Sequence, residues 1–310
     1  MVLLVPIGMV GALGIGLAGW SAFVARAAEE RVPADGGCID LPGARIHYVD
    51  LGAREEGVPT IVLVHGLMGQ LRNFTYALAE RLSAHARVIL VDRPGWGWSS
   101  VDGPRPGIAR QAEILAELIA ALKLDRPLLV GHSLGGAIAL ALAAEHPELV
   151  RGLALIAPLT QPVDRPPPAF AGLMAPSLLR PLLAWTVAVP AGMANSRRVA
   201  AQIFAPDPVP DDFAIRGGGA LAIRPRSYLA GSFELSTARA EMAALAPRYP
   251  GMTLPVSILF GRDDAVLDAA VHGERTAATL PNATLALVDG GHMLPVAHPD
   301  RTAEWLLAQL

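Results

Sequence analysis

The order of apolar and polar positions divides the chain into three regimes. From Val2 to Ala25 no side chain is charged. At ~1.5 Å rise per residue this run is long enough to cross a bilayer core, which takes roughly 20 apolar residues. Trp20, near its end, sits where an interfacial aromatic is expected. From Arg45 onward short apolar runs alternate with helical patterns. Strands are predicted at Arg45–Leu51, Thr60–Val64, Arg87–Val91, Leu128–Gly131, Gly152–Ile156, Val256–Phe260 and Thr284–Val288. Helices are predicted at Asn73–Ala84, Ala109–Leu122, Leu134–Glu145, Ala269–Leu280 and Asp300–Leu310. That alternation implies an α/β protein with a mostly parallel, doubly wound sheet covered on both faces. The third regime, Pro158 to Met252, breaks the rhythm. Pro166-Pro167-Pro168 opens it and Gly217-Gly218-Gly219 interrupts it. Apolar helical pieces at Phe170–Met174, Leu178–Val189 and Arg197–Phe204 mark it as a helical insertion between two sheet strands.

The organisation that follows is an apolar segment over 1–26, a linker over 27–40, the first part of the α/β core over 41–157, the helical insertion over 158–252, and the rest of the core over 253–310. The apolar segment reads as a single membrane anchor or as a secretory signal that is cleaved. Ala25-Arg26-Ala27 offers an A-x-A site, but no Lys or Arg precedes the apolar run and the run is long for a signal.

Composition changes this picture little. Apolar residues are 52% of the 310, charged residues 17%, and the formal net charge is −3, so no nucleic-acid partner is implied. The basic residues are nearly all arginine, with Lys123 the single lysine. Cys38 is the one cysteine, so no intrachain disulfide can form, and no metal-ligand spacing is present. No metal or cofactor is expected.

Four motifs carry the candidate chemistry. Gly131-His132-Ser133-Leu134-Gly135-Gly136 follows an apolar strand and opens a helix, the context a G-x-S-x-G nucleophile turn requires. Small residues flank Ser133 because the turn is tight, and the new helix aims its positive end at the site. Val64-His65-Gly66-Leu67 ends an earlier strand, where the backbone N–H of Leu67 can join that of Leu134 as an oxyanion hole. Gly290-Gly291-His292 follows the last strand and offers a general base, with His65, His132 and His298 as competitors. Gly261-Arg262-Asp263-Asp264 ends the strand before it, and one of its two aspartates can orient His292.

Together these motifs resemble the α/β-hydrolase superfamily over roughly Asp40 to Leu310. Asp92-Arg93-Pro94-Gly95-Trp96-Gly97 also looks like that superfamily's loop after an early strand. The resemblance implies a catalytic Ser133–Asp264–His292 triad, with Asp264 preferred over Asp263 at the fourth position of a G-x-x-D turn. It also implies that the insertion is a cap over the site. Ser133 stands where haloalkane dehalogenases and soluble epoxide hydrolases of this fold carry aspartate. The expected reaction is hydrolysis of a small-molecule carboxylic ester with an apolar or lipid-like acyl group, near a membrane. The alternatives are a C–C hydrolase of meta-cleavage products, a perhydrolase, or a non-catalytic ligand-binding receptor. His65-Gly66-Leu67-Met68-Gly69 and Met293 depart from the C–C hydrolase pattern, which has a glycine-rich oxyanion segment and a Trp after the histidine.

Overall fold

The computed structural model describes the backbone of residues 4–55 and 57–310, and the side chains of 11–55 and 57–310. Among these, nine strands form one sheet. They are β1 (Gly37–Leu41), β2 (Ala44–Leu51), β3 (Thr60–Val64), β4 (Arg87–Val91), β5 (Ser100–Val101), β6 (Leu128–His132), β7 (Gly152–Ile156), β8 (Val256–Gly261) and β9 (Ala283–Val288). Their order is β1-β2-β4-β3-β6-β7-β8-β9, with β5 paired to β2. All pairs from β4 to β9 are parallel, and the β2 pairings with β1, β4 and β5 are antiparallel.

Period-2 alternation splits each central strand between two cores. Val62 and Val64 enter one apolar cluster while Ile61 and Leu63 enter the other. Ile89 and Val91 divide from Val88 and Leu90 in the same way. The first core is closed by α4 (Ile108–Ala121) and α5 (Leu134–Glu145), and the second by α3 (Leu78–Ser83) and α11 (Pro299–Leu307). Each fully buried Leu, Ile or Val contributes about 1.5–3 kcal/mol relative to an exposed one.

Several elements differ from the sequence pattern. The predicted helix Asn73–Ala84 is two pieces, α2 (Arg72–Thr75) and α3, and Ala269–Leu280 is a π turn (Ala270–Glu274) followed by α9 (Arg275–Thr279). The linker expected over 27–40 is not one. The first helix, α1 (Leu4–Arg31), runs through its first residues, and β1 pairs residue by residue with β2 at its end. Glycines at 36 and 37 suggested a loop, but Gly36 serves as the left-handed residue that leads into the hairpin.

Between β7 and β8 lie α6 (Arg180–Thr186), α7 (Ala188–Phe204) and α8 (Pro225–Leu245), with short 3-10 turns between them. The helical pattern did not reveal α8, the longest of these at 21 residues. Its buried positions include Ser227, Ser232 and Glu234 and make no clean apolar stripe. α1 packs its C-terminal end on this insertion, with Ala28 and Val32 buried beside Leu221. Glu29 forms an ion pair with the buried Arg224, at 2.9 Å. A further short helix, α10 (Leu294–Ala297), follows the histidine motif.

Candidate active site

The C-terminal ends of the parallel strands bring the four motifs to one edge of the sheet. Ser133 sits between β6 and α5 with φ 53° and ψ −121°, a conformation that side-chain-bearing residues avoid. The turn closes because its neighbours lack a Cβ; at Gly135 one would lie 2.2 Å from the Val64 carbonyl oxygen. Hydrogen bonds from Ser133 N–H to the Ile156 carbonyl, and from Leu159 N–H to the Ser133 carbonyl, fix the turn against β7 and the chain after it.

His292 is buried, and its Nδ1 donates to Asp264 Oδ2 at 2.7 Å. The other carboxylate oxygen of Asp264 accepts from the N–H groups of Val266 and Leu267 at 2.8 and 2.9 Å. Burial pushes this carboxyl up, but the charge and hydrogen bond of His292 and the two amides outweigh it and hold it below its ordinary value. Asp263 is exposed, so of the two aspartates it is Asp264 that the structure pairs with His292. With Nδ1 donating, Nε2 is left as the basic nitrogen. Among the described residues no hydrogen bond joins it to Ser133 Oγ, a contact that tightens only with substrate in many resting hydrolytic sites.

The competing histidines are engaged elsewhere. His132 Nε2 donates to the His292 carbonyl at 3.0 Å. Burial, reinforced by His292, pushes His132 down to about 3, so it is neutral. His65 donates through Nδ1 to the Gly66 carbonyl at 2.8 Å and accepts from Arg93 N–H at 3.0 Å. Burial and the Arg93 charge hold it neutral, so it shapes the loop. His298 pairs with Asp207 at 2.8 Å.

The His65-Gly66-Leu67 loop lies against Ser133. A Cβ on Gly66 would fall 2.7 Å from Ser133 Cβ and 3.2 Å from its Oγ. Leu134 is the first residue of α5, so its N–H has no partner within the helix. The Leu67 N–H likewise donates to no backbone acceptor among the described residues. Among the described residues neither amide has a backbone acceptor, which leaves both open to an acceptor in the site.

Sequence reasoning assigned no role to the groups that brace this edge. Arg93 is buried; its guanidinium donates to the Gly66 carbonyl at 3.0 Å and to Glu234 of α8 at 2.6 and 3.1 Å. Trp96 Nε1 and Gln111 Nε2 donate to the same Glu234 carboxylate. Asp207, just after α7, accepts from Gly291 N–H at 3.0 Å as well as pairing with His298. The Asp92–Gly97 motif signalled Arg93, but nothing local signals Glu234 or Asp207, whose partners lie 141 and 84 residues away. Among the described residues no cluster of His, Cys, Asp and Glu is arranged to hold a metal.

The sequence profile of the alpha/beta hydrolase fold family matches residues 59–299. The chain is 31% identical over 239 residues to the magnesium-chelatase 30 kDa subunit of Rhodobacter capsulatus, covering 76% of this chain and 81% of that protein. It is 39% identical over 118 residues to a 2-hydroxy-6-oxononadienedioate/2-hydroxy-6-oxononatrienedioate hydrolase of Paraburkholderia phymatum, covering 36% of this chain and 39% of that one. Six further curated relatives match over 25% to 42% of their own length. The crystal structure of a membrane phospholipase A superposes with TM-score 0.68 at 26% identity, covering 99% of this chain and 95% of that one.

Proposed function

Because the chain belongs to the α/β-hydrolase fold family, we propose that it is a serine hydrolase of carboxylic esters, with Ser133 as nucleophile. The observation that carries this reading is the pairing of a strained Ser133 turn with the buried Asp264–His292 couple at one sheet edge. His292 Nε2 takes the Ser133 proton as Oγ attacks the ester carbonyl, and Asp264 stabilises the imidazolium. The N–H groups of Leu67 and Leu134 hold the oxyanion, each worth about 2.7–4 kcal/mol in the transition state. The alcohol leaves with the proton from His292. Water activated by the same histidine then cleaves the acyl-enzyme.

An apolar, lipid-like acyl group is the favoured substrate. Met68, from the loop that follows Leu67, packs with Leu173 and Trp96 around Gly231 of the insertion, so the contact between that loop and the insertion is apolar. The N-terminal helix supports an anchor in the same membrane: it is 28 residues long, and Leu13, Ile15, Trp20 and Phe23 are exposed on it. The membrane phospholipase A is similar over nearly the whole chain, helix included. The relative that hydrolyses a 2-hydroxy-6-oxo dienedioate supports a second reading, C–C bond hydrolysis on the same residues.

A panel of p-nitrophenyl esters of increasing chain length, beside a meta-cleavage product, separates the two. Ester turnover that rises with acyl length and disappears in Ser133→Ala is expected. Turnover unchanged in that variant, or confined to the C–C substrate, would sink the ester reading.

A further inference from the structure

We infer that the outer face of the insertion, around α6, lies on the surface of the same bilayer that α1 enters, and that its partner there is an anionic lipid surface. This rests on the anchor reading of α1 given above.

The face is apolar and open. Leu178 is 92% exposed and Leu182 60%, with Met174, Leu179, Trp185 and Val187 also exposed around them. A contiguous patch of this kind on a single chain marks a surface that meets another apolar phase. Its position says which. α6 packs against both α1 and α8. The stripe Ser21, Val24 and Ala28 of α1 is buried toward the protein, while Trp20 and Phe23 point out. The α1 glycines Gly11, Gly14, Gly16 and Gly19 have nothing around them, so the helix leaves the body near Trp20. The free length from Leu4 to Trp20 is about 25 Å at ~1.5 Å per residue, close to the roughly 30 Å of a hydrocarbon core. The bilayer surface therefore falls near Trp20, beside α6.

Length and charge complete the case. The helical pieces Ser177–Thr186 and Ala188–Phe204 meet at 76°. The first is far short of the ~20 residues needed to span, which suits an element lying in the interface. Between Pro166 and Phe204 there is no Asp or Glu, while Arg180, Arg197 and Arg198 are present. Arg180 opens α6 itself, and a basic side chain at an apolar face, in a stretch without carboxylates, favours anionic headgroups. Trp185 on this face is the side chain an interface selects. The same stretch carries Leu173, which is buried beside Gly231 together with Met68 of the loop that follows Leu67. A lipid-like ester leaving the bilayer here would meet the site's apolar wall without crossing bulk water.

The test uses the full chain in vesicles of equal phosphatidylglycerol and phosphatidylcholine whose acyl chains carry bromine, a short-range quencher of tryptophan. Wild type, Trp20→Phe and Trp185→Phe are compared in brominated and plain lipid. Docking predicts that each variant loses a share of the quenching, and that the Trp185 share is largest with bromine near the headgroup. Quenching unchanged in Trp185→Phe but reduced in Trp20→Phe overturns docking and leaves the anchor standing. Protein that stays off the vesicles, with no quenching at all, overturns both. A Trp185 share that is largest with bromine at the chain ends means α6 and α7 enter the bilayer, and this overturns surface docking. A face that seats a second copy would leave Trp185 unquenched and give a disulfide-linked dimer for Leu178→Cys in a Cys38→Ser background, which also overturns it. As a functional arm, Leu178→Asp combined with Leu182→Asp should lower hydrolysis of a vesicle-embedded ester at least ten-fold. Turnover of a short soluble ester should stay within two-fold. Equal loss on both substrates counts against the proposal.

Discussion

Glu234 accepts from Arg93, Trp96 and Gln111 in a place where only 5% of the residue is exposed. A buried guanidinium left without its carboxylate costs about 3–5 kcal/mol, more than the pair contributes over an apolar substitute. Glu234→Gln should therefore lower the unfolding free energy by an amount in that range, read as a lower midpoint in urea. It should also reduce kcat, because Arg93 holds the Gly66 carbonyl beside Ser133. An unshifted midpoint would show that the charge is solvated in solution. His272 gives a residue-scale prediction in pH. It accepts from Thr160 N–H at 3.1 Å, and burial pushes it down to about 4. Its unfolded value is near 6.5, so between 6.5 and 4 the unfolded chain binds a proton that the folded chain does not. Stability due to this group is thus complete above 6.5 and falls as the solution is acidified toward 4, by a total on the order of 3 kcal/mol. Chemical denaturation of His272→Asn at pH 7 and pH 4.5 should show a smaller acid loss than wild type.

At the scale of elements, the His65–Leu67 loop and the Ser133 turn are locked by close backbone approach. Gly66→Ala would place a methyl 2.7 Å from Ser133 Cβ. The loop must shift, and a displacement near 1 Å at a reacting centre costs about a hundred-fold in rate. Steady-state kinetics on a short ester should show kcat reduced by that order with near-wild-type far-UV circular dichroism. Wild-type kcat would place the loop outside the reaction. The two motifs were legible because a G-x-S-x-G turn and a His-Gly turn have strict local needs that leave a sequence mark. The strands were equally legible: Thr60–Val64, Arg87–Val91 and Gly152–Ile156 have the predicted bounds. α8 was not, because its buried positions include Ser227, Ser232 and Glu234, which make no apolar stripe, and Glu234 is buried only because Arg93, Trp96 and Gln111 satisfy it from more than a hundred residues away.

For the molecule as a whole, α1 is part of the folded body as well as a candidate anchor. Arg224 is buried between the Glu29 carboxylate and the carbonyls of Leu221 and Gly97, and Trp98 Nε1 reaches the Val32 carbonyl at 3.1 Å. Glu29→Ala strips a buried charge of its counter-ion and should lower the melting temperature in detergent by several degrees, the equivalent of about 1–3 kcal/mol. A melting temperature equal to wild type would mean that the helix end is undocked in solution.

Sequence alone determined seven of the sheet's nine strands, most of the helices that alternate with them, the four motifs and the apolar N-terminal run. Each of these is dictated by a period, a turn or a length, all properties of neighbouring residues. Tertiary structure alone decided that Asp264, not Asp263, meets His292, that Arg93 and Glu234 tie the insertion to the oxyanion loop, and that α1 docks on that insertion. The reason is the same in each case. A buried polar group is stable only when its partner arrives, and here the partners come from 28 to 195 residues away, a separation that folding closes and no local pattern encodes.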